Sequence, residues 1–186
     1  MTALLIIGFA ILLFIFFYNS LIAKKTQVDN ILASVDAELK KRYDLIPNLV
    51  ATVRQYMEHE KALLEKITQL RTRATQRGLS QEEKAKIDKE VSDSLGSLMV
   101  AVENYPELKS NENIIQLQQT ITDVEANIAA ARRAYNQAVT DYNSALEMIP
   151  TNIIANFMKL RPKAFFEIEK SQRENHDLSK LFAGNS

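Results

Sequence analysis

The groups able to do chemistry are few in this chain of 186 residues: two histidines, His59 and His176, and no cysteine. A metal site needs three or four ligands converging on one ion. His59-Glu60 opens like a zinc-hydrolase motif, but Leu63 stands where the second histidine is required. A di-iron bundle needs Glu-x-x-His on two helices. Here Tyr56 precedes His59 at that spacing, and Arg173 precedes His176. Gly8, Gly78, Gly96 and Gly184 are isolated, so no glycine-rich phosphate loop is present. Serines are plentiful, but none belongs to a Ser-His-acid set on a strand-turn-helix. The pattern predicts a protein that is not an enzyme and holds neither metal nor cofactor. His59, between Glu58 and Glu60, reads as a surface or boundary residue.

The other polar residues that stand out are spaced for recognition or packing. Tyr135-Asn136 and Tyr142-Asn143 repeat at an interval of seven, which places both pairs on one side of a helix. Arg132 and Arg133 lie one turn earlier, and Glu125 two turns before Arg132. Such a face can dock a partner helix. Alternatively the Tyr rings fill a helix seam while Asn and Arg bond to neighbouring helix ends, which is the more ordinary use. Arg42 and Asp44 flank a proline stretch and are expected to organise a turn there rather than bind substrate.

All these residues must be positioned by helices. Ile114, Leu117, Ile121, Val124, Ile128, Ala131, Tyr135, Ala138, Tyr142, Ala145 and Ile149 step by three and four without a fault. That is the seam of a coiled coil or bundle helix, roughly 54 Å long at 1.5 Å per residue. It cannot be buried alone, so the remaining chain must supply partners. Four Gly and four Pro fit an all-helical chain with short connections. Lys+Arg and Asp+Glu are both 23, a balance that does not call for nucleic acid.

Ala3 to Ala23 carries no charge. As a helix it spans roughly 31 Å, close to the roughly 30 Å hydrocarbon core of a bilayer, and Tyr18 sits where an aromatic meets the interface. A cleaved signal peptide would have a basic start and a shorter apolar core; a buried core helix is the other rival. An uncleaved anchor over 1–23 is the expectation. Lys24, Lys25, Lys40, Lys41 and Arg42 follow the run and nothing basic precedes it, so the following domain is expected in the cytoplasm.

After the anchor, Val28, Leu32, Val35 and Leu39 keep the same stepping. Pro47 predicts a helix end near Tyr43 and a new start near Leu45, with Asp44 as a cap; a single kinked helix is the alternative. A second helix is expected from Leu45 to about Gln76, with Arg71, Arg73 and Arg77 at its C-terminal end and Gly78 as its stop. Ser80-Gln81-Glu82-Glu83 predicts a capping box opening a third helix through Ile87, Val91, Leu95, Leu98 and Val102. This helix should end before Tyr105-Pro106. Asn111 and Asn113 sit where the long helix needs caps. Pro150 closes that helix.

Beyond Pro150, Ile153, Ile154, Phe157, Met158, Phe165 and Phe166 alternate with Lys159, Arg161 and Lys163. If the helices alternate in direction, this segment returns to the membrane, where short apolar pieces with basic residues suit the interface. Folding back onto the bundle and contact with a second copy are the alternatives. Residues 167–186 are expected to form a polar tail.

Several stretches, in order, resemble the LemA family of bacterial membrane proteins. They are Leu39-Lys40-Lys41-Arg42-Tyr43-Asp44-Leu45-Ile46-Pro47-Asn48-Leu49-Val50, His59-Glu60, Tyr105-Pro106-Glu107-Leu108-Lys109, Asn111-Glu112-Asn113, Glu125 to Ala129, Ala131 to Asn136, Tyr142-Asn143 and Ile149-Pro150-Thr151-Asn152. Phe165-Phe166-Glu167 fits the family's end. Leu32 departs from the pattern, where many members carry an aromatic. The resemblance implies an N-terminal anchor and a four-helix bundle over 24–166, with no enzyme activity. It also implies a scaffold role, with some members tied to magnetosome membrane formation. The expected function is a membrane-organising scaffold in the bacterial inner membrane, with the lipid bilayer and further copies of the chain as partners. The alternative is an adaptor for another membrane protein, such as a protease or a sensor kinase.

Overall fold

The computed structural model describes residues 1–166 except Arg77, with the side chains of Gln81 and Glu82 also left aside. The expected polar tail, His176 and the helix-end role of Arg77 lie outside the described residues. All regular structure among the described residues is helical: α1 (Thr2–Val53), α2 (Lys61–Ala74, preceded by a 3-10 turn at Glu58–Glu60), α3 (Gln81–Val102), α4 (Pro106–Lys109), α5 (Glu112–Glu147) and α6 (Thr151–Phe157).

α1 is one helix of 52 residues, about 78 Å long. Leu21, Val28, Val35, Arg42 and Leu49 recur at seven and are each at most 1% exposed. Leu32, Leu39, Ile46 and Val53 fill the intermediate seam positions. This register passes through Pro47 without a phase shift. The helix boundary expected at Tyr43–Leu45 is therefore absent, and Pro47 lies inside the helix. Two features make this tolerable. Pro47 is on the exposed side. The carbonyl that loses its donor to the proline ring, that of Tyr43, accepts instead from Arg71 Nε at 3.4 Å. Asp44 caps nothing; it pairs with Lys40 one turn back on the surface.

The first reversal comes later, at residues 54–60. Met57, 1% exposed, is buried within it. The expected second helix is thus divided: 45–53 belongs to α1 and 61–74 forms α2. Gly78 does not follow directly on α2, which ends at Ala74; it lies in the connection with φ 88°, a conformation glycine adopts freely. The capping box at Ser80 and Glu83 forms as expected, with Ser80 N–H donating to Glu83 at 2.9 Å and Glu83 N–H to Ser80 Oγ at 3.2 Å. Asn111 caps α5, its Oδ1 accepting from Asn113 N–H at 3.0 Å and Ile114 N–H at 3.4 Å. Asn113 itself faces solvent.

α1 and α5 form an antiparallel pair, with Leu21 in a cluster with Ala145 at one end and Arg42 meeting Glu125 further along. α2 and α3 form a hairpin that joins this pair at the end remote from the apolar run. There Ile46, Leu49, Val53, Ile67, Leu70, Val91, Leu95, Leu98, Leu108 and Ile114 form the largest core. The expectation of a uniform four-helix bundle needs correction. α2 has 14 residues and α3 has 22, against 36 in α5. The hairpin therefore cannot cover the whole stripe, and a four-helix cross-section exists only over the distal part. Nearer the apolar run, α6 and an extended segment, residues 160–166, take its place. The peptide bond before Pro150 is cis.

Candidate functional site: a buried charge cluster and a clamp on the long helix

Two groups of the singled-out residues are brought together. The first lies where the α2–α3 hairpin begins to cover the α1–α5 pair. Arg42 occupies a seam position of α1 and its side chain is 0% exposed. It pairs with Asp88 of α3, reaches Glu125 of α5 at 2.8 Å and donates to Ser92 Oγ at 2.8 Å. Asp88, buried as well, also pairs with Arg132 of α5. Two guanidinium groups and two carboxylates thus balance across three helices. Burial, and next the charge of Arg42, push Arg132 below the usual arginine range. Nothing here resembles a reaction centre. The cluster links the hairpin to the central pair across three helices. Arg133, one residue on, is exposed.

Asp88 and Ser92 were not singled out from the sequence. A signal was present: counting back from Val102 through Leu98, Leu95 and Val91 by four and three lands on Asp88. A carboxylate on an apolar seam demands a buried cation, and Arg42 stands on the seam of α1 in the same way.

The second group is the Tyr-Asn repeat. Tyr135 and Tyr142 are buried, with 7% and 1% exposure. Their hydroxyls donate to the carbonyls of Ala164 at 3.1 Å and Arg161 at 3.3 Å. Asn143 accepts the N–H of Lys163 on Oδ1 at 2.9 Å and donates Nδ2–H to the carbonyl of the same residue at 2.9 Å. Asn136 does the same for Phe166, at 2.9 and 3.1 Å. The spacing explains the match. Seven helical residues rise about 10.5 Å, and three extended residues advance about 10 Å. A heptad on the helix therefore meets every third residue of a strap lying along it: 161 and 164 for the hydroxyls, 163 and 166 for the amides.

The strap is fastened further by Lys163 Nζ to Asp29 Oδ1 on α1 at 2.8 Å. Phe166 packs edge-on against Tyr135 with ring centroids 4.7 Å apart, and lies under the Arg132 guanidinium at 5.7 Å. At Phe166 the strap thus reaches the charge cluster. Burial raises both tyrosines above their ordinary range, and the hydrogen bond to Asp29 raises Lys163.

The other singled-out residues separate. Ile154 is buried against Leu21 and Ala145, and Met158 packs on the same cluster. Ile153, Phe157 and Phe165 point outward at 67%, 81% and 51% exposure, and Lys159 and Arg161 are exposed beside them. Asn48 faces solvent, its carbonyl accepting from Thr52 Oγ1 at 2.7 Å. His59 is exposed. No group of three or more metal-ligating side chains occurs among the described residues. The first part of α1 is long and apolar enough to cross a membrane, and only 6% of its most apolar stretch is buried.

The model of the LemA family matches residues 31–179. The chain is similar to "Protein LemA" of Metamycoplasma hominis, 26% identical over 163 residues that cover 88% of this chain and 74% of the relative. It is also similar to "Magnetosome protein MamQ 2" of Paramagnetospirillum magneticum, 30% identical over 74 residues, 40% of this chain and 27% of that protein. "Magnetosome protein MamQ" of Magnetospirillum gryphiswaldense is 29% identical over 73 residues, with 39% and 27% covered. The chain thus matches only about a quarter of the length of the magnetosome relatives.

Proposed function

This chain belongs to the LemA family, and from that premise we propose that it is a single-pass scaffold of the bacterial inner membrane, organising the membrane through bundle surfaces. Members of the family are not catalytic. The observation that carries the reading is the continuity of α1. The same helix is exposed and apolar at its start and forms the bundle core from Val28 to Val53. Whatever the bundle binds is held at a set height and angle on the bilayer, because no linker intervenes. Met148, Ile149, Ile153 and Phe157 are all more than 60% exposed, and their chain neighbours Ile154, Ala155 and Met158 pack in one cluster with Phe17 and Leu21, where the apolar run ends. With Lys159 and Arg161 beside them they are suited to the headgroup region, where apolar burial and attraction to anionic lipid add. The likeness to proteins named for the magnetosome supports a membrane-organising role.

The basic residues after the run favour a cytoplasmic bundle. An open groove of about 560 Å³ between α1 and α2, bounded by Arg54, Met57, Glu58 and Lys61 at the distal tip, favours a second reading, an adaptor that presents the tip to a membrane protease or signalling protein. Amine cross-linking in intact membranes followed by mass spectrometry separates them. The scaffold gives a ladder of this chain alone. A stoichiometric second protein in place of the ladder overturns it in favour of the adaptor.

A further inference from the structure

We propose that the Tyr-Asn clamp on α5 accepts the strap, residues 160–166, of a neighbouring copy, so that exchanged straps join chains within the membrane. The inference rests on the scaffold reading and names the contact through which copies would associate.

The clamp is a complete recognition surface for an extended peptide. It reads main chain through two bidentate amides and two hydroxyls. It reads side chains through Asp29, which takes a lysine, and through Tyr135 with Arg132, which take an aromatic ring three residues further on. The strap of a second copy satisfies every one of these contacts, because it is the same strap. Exchange therefore replaces each contact one for one, and the balance falls to the hinge.

The hinge favours opening. Met158 and Lys159 alone separate α6 from the strap, and Lys159 has φ 53°, the left-handed region in which a residue with a side chain is strained. That conformation turns the chain back along its own α5. A chain that continues straight to a neighbour releases it, and short strained hinges are where exchange occurs. The ties of the hinge are to its own α6 and its cluster: Met158 N–H to the carbonyl of Ile154 at 2.9 Å, Lys159 N–H to that of Asn156 at 3.1 Å, Leu160 N–H to that of Ala155 at 3.0 Å, and the packing of Met158 and Leu160 beside Leu21. The bilayer supplies the encounter. Copies anchored by the same helix stand at the same height, so the strap of one lies level with the clamp of the next, and confinement raises their effective concentration. Reciprocal exchange closes a pair; one-way exchange builds an open row.

The absence of cysteine from the chain makes the test direct. Full-length Asp29→Cys and Lys163→Cys chains, carrying different tags, are reconstituted together in liposomes and treated with a short bis-maleimide. The expected result is a doubly tagged dimer, several-fold more abundant than from Ser97→Cys paired with Lys163→Cys, Ser97 being exposed on α3. It should be lost when Asn136→Ala and Asn143→Ala are added to the Asp29→Cys chain, with helical content by circular dichroism showing that this chain is folded. Asn143→Ala alone, the milder variant, should reduce it. A dimer no more abundant than the Ser97 control overturns the proposal, as does one insensitive to the clamp variants. So does a foreign protein coupled to Asp29→Cys in native membranes. If the exchange dimer is missing while amine cross-linking still yields a ladder of this chain, the exchange is wrong and the scaffold stands. If both are missing, both are wrong.

Discussion

Arg71 Nε donates to the carbonyl of Tyr43, the acceptor that Pro47 leaves without its helical partner. A side chain of α2 thereby completes the backbone of α1 at its weakest turn. Pro47→Ala restores an N–H to that carbonyl, so it is expected to stabilise the bundle, by up to about 3 kcal/mol. Arg71→Ala should cost about 1 kcal/mol in the parent and much less in the Pro47→Ala background. Urea unfolding of the four chains in detergent as a double-mutant cycle measures the coupling. Equal costs of Arg71→Ala in both backgrounds would show that the two residues act independently.

Arg42→Ala is expected to destabilise the fold by about 3–5 kcal/mol, since it strips a buried partner from Asp88. Asp44→Ala, only two residues away, should cost less than about 1 kcal/mol, because its pair with Lys40 is exposed. The contrast is read from unfolding midpoints at constant slope. Similar costs at both sites would remove the charge cluster from its role in joining α3 to α1 and α5.

Tyr142→Ala and Tyr135→Ala each remove a buried ring and should cost about 3 kcal/mol or more. Tyr142→Phe, which loses only the bond to Arg161, should cost about 1 kcal/mol. Asn143→Ala should leave the helices intact and free the strap, so that amide exchange quickens at Lys163 while that of α5 core amides is unchanged. Persistent protection at Lys163 would mean that the strap is held by something other than the amide clamp.

Alkaline pH should loosen the strap before it unfolds the helices. Tyr135, Tyr142 and Lys163 are all raised above their ordinary values in the folded protein. A group raised on folding adds stability that is complete below its unfolded value and is lost as pH climbs through its folded one. The loss should therefore begin above the ordinary tyrosine value of about 10. Ultraviolet titration should show a late-ionising phase that shrinks when Tyr135→Phe and Tyr142→Phe are introduced. A late phase unchanged by both substitutions, or none at all, contradicts this.

The bundle is expected in the cytoplasm. A reporter active only outside the cell, fused after Ser186, should be silent, and one that works in the cytoplasm should be active. Strong activity of the external reporter would reverse the orientation.

Local periodicity made the helices legible. The three-and-four stepping of α3 and α5, the capping box at Ser80, the Asn111 cap and the unbroken apolar run of α1 depend only on residues a few positions apart, and each was readable from the chain. The same stepping, followed through Leu39, Arg42, Ile46 and Leu49, also carried the news that α1 passes Pro47 intact. It was outweighed by the local penalty of proline, because the donor that relieves the penalty sits 28 residues away. The same holds for Arg42. Its neighbours suggest a turn residue, whereas its partners lie 46 and 83 positions on. The Tyr-Asn heptad announced a special face of α5 but not its occupant, since hydrogen bonds to main chain leave little mark on the occupant's side chains. Only the fold decided that a strap from 19 to 30 residues downstream lies there. Local order follows from the spacing of side chains along one helix; which distant group satisfies an orphaned carbonyl, a buried charge or an amide is settled when the helices pack.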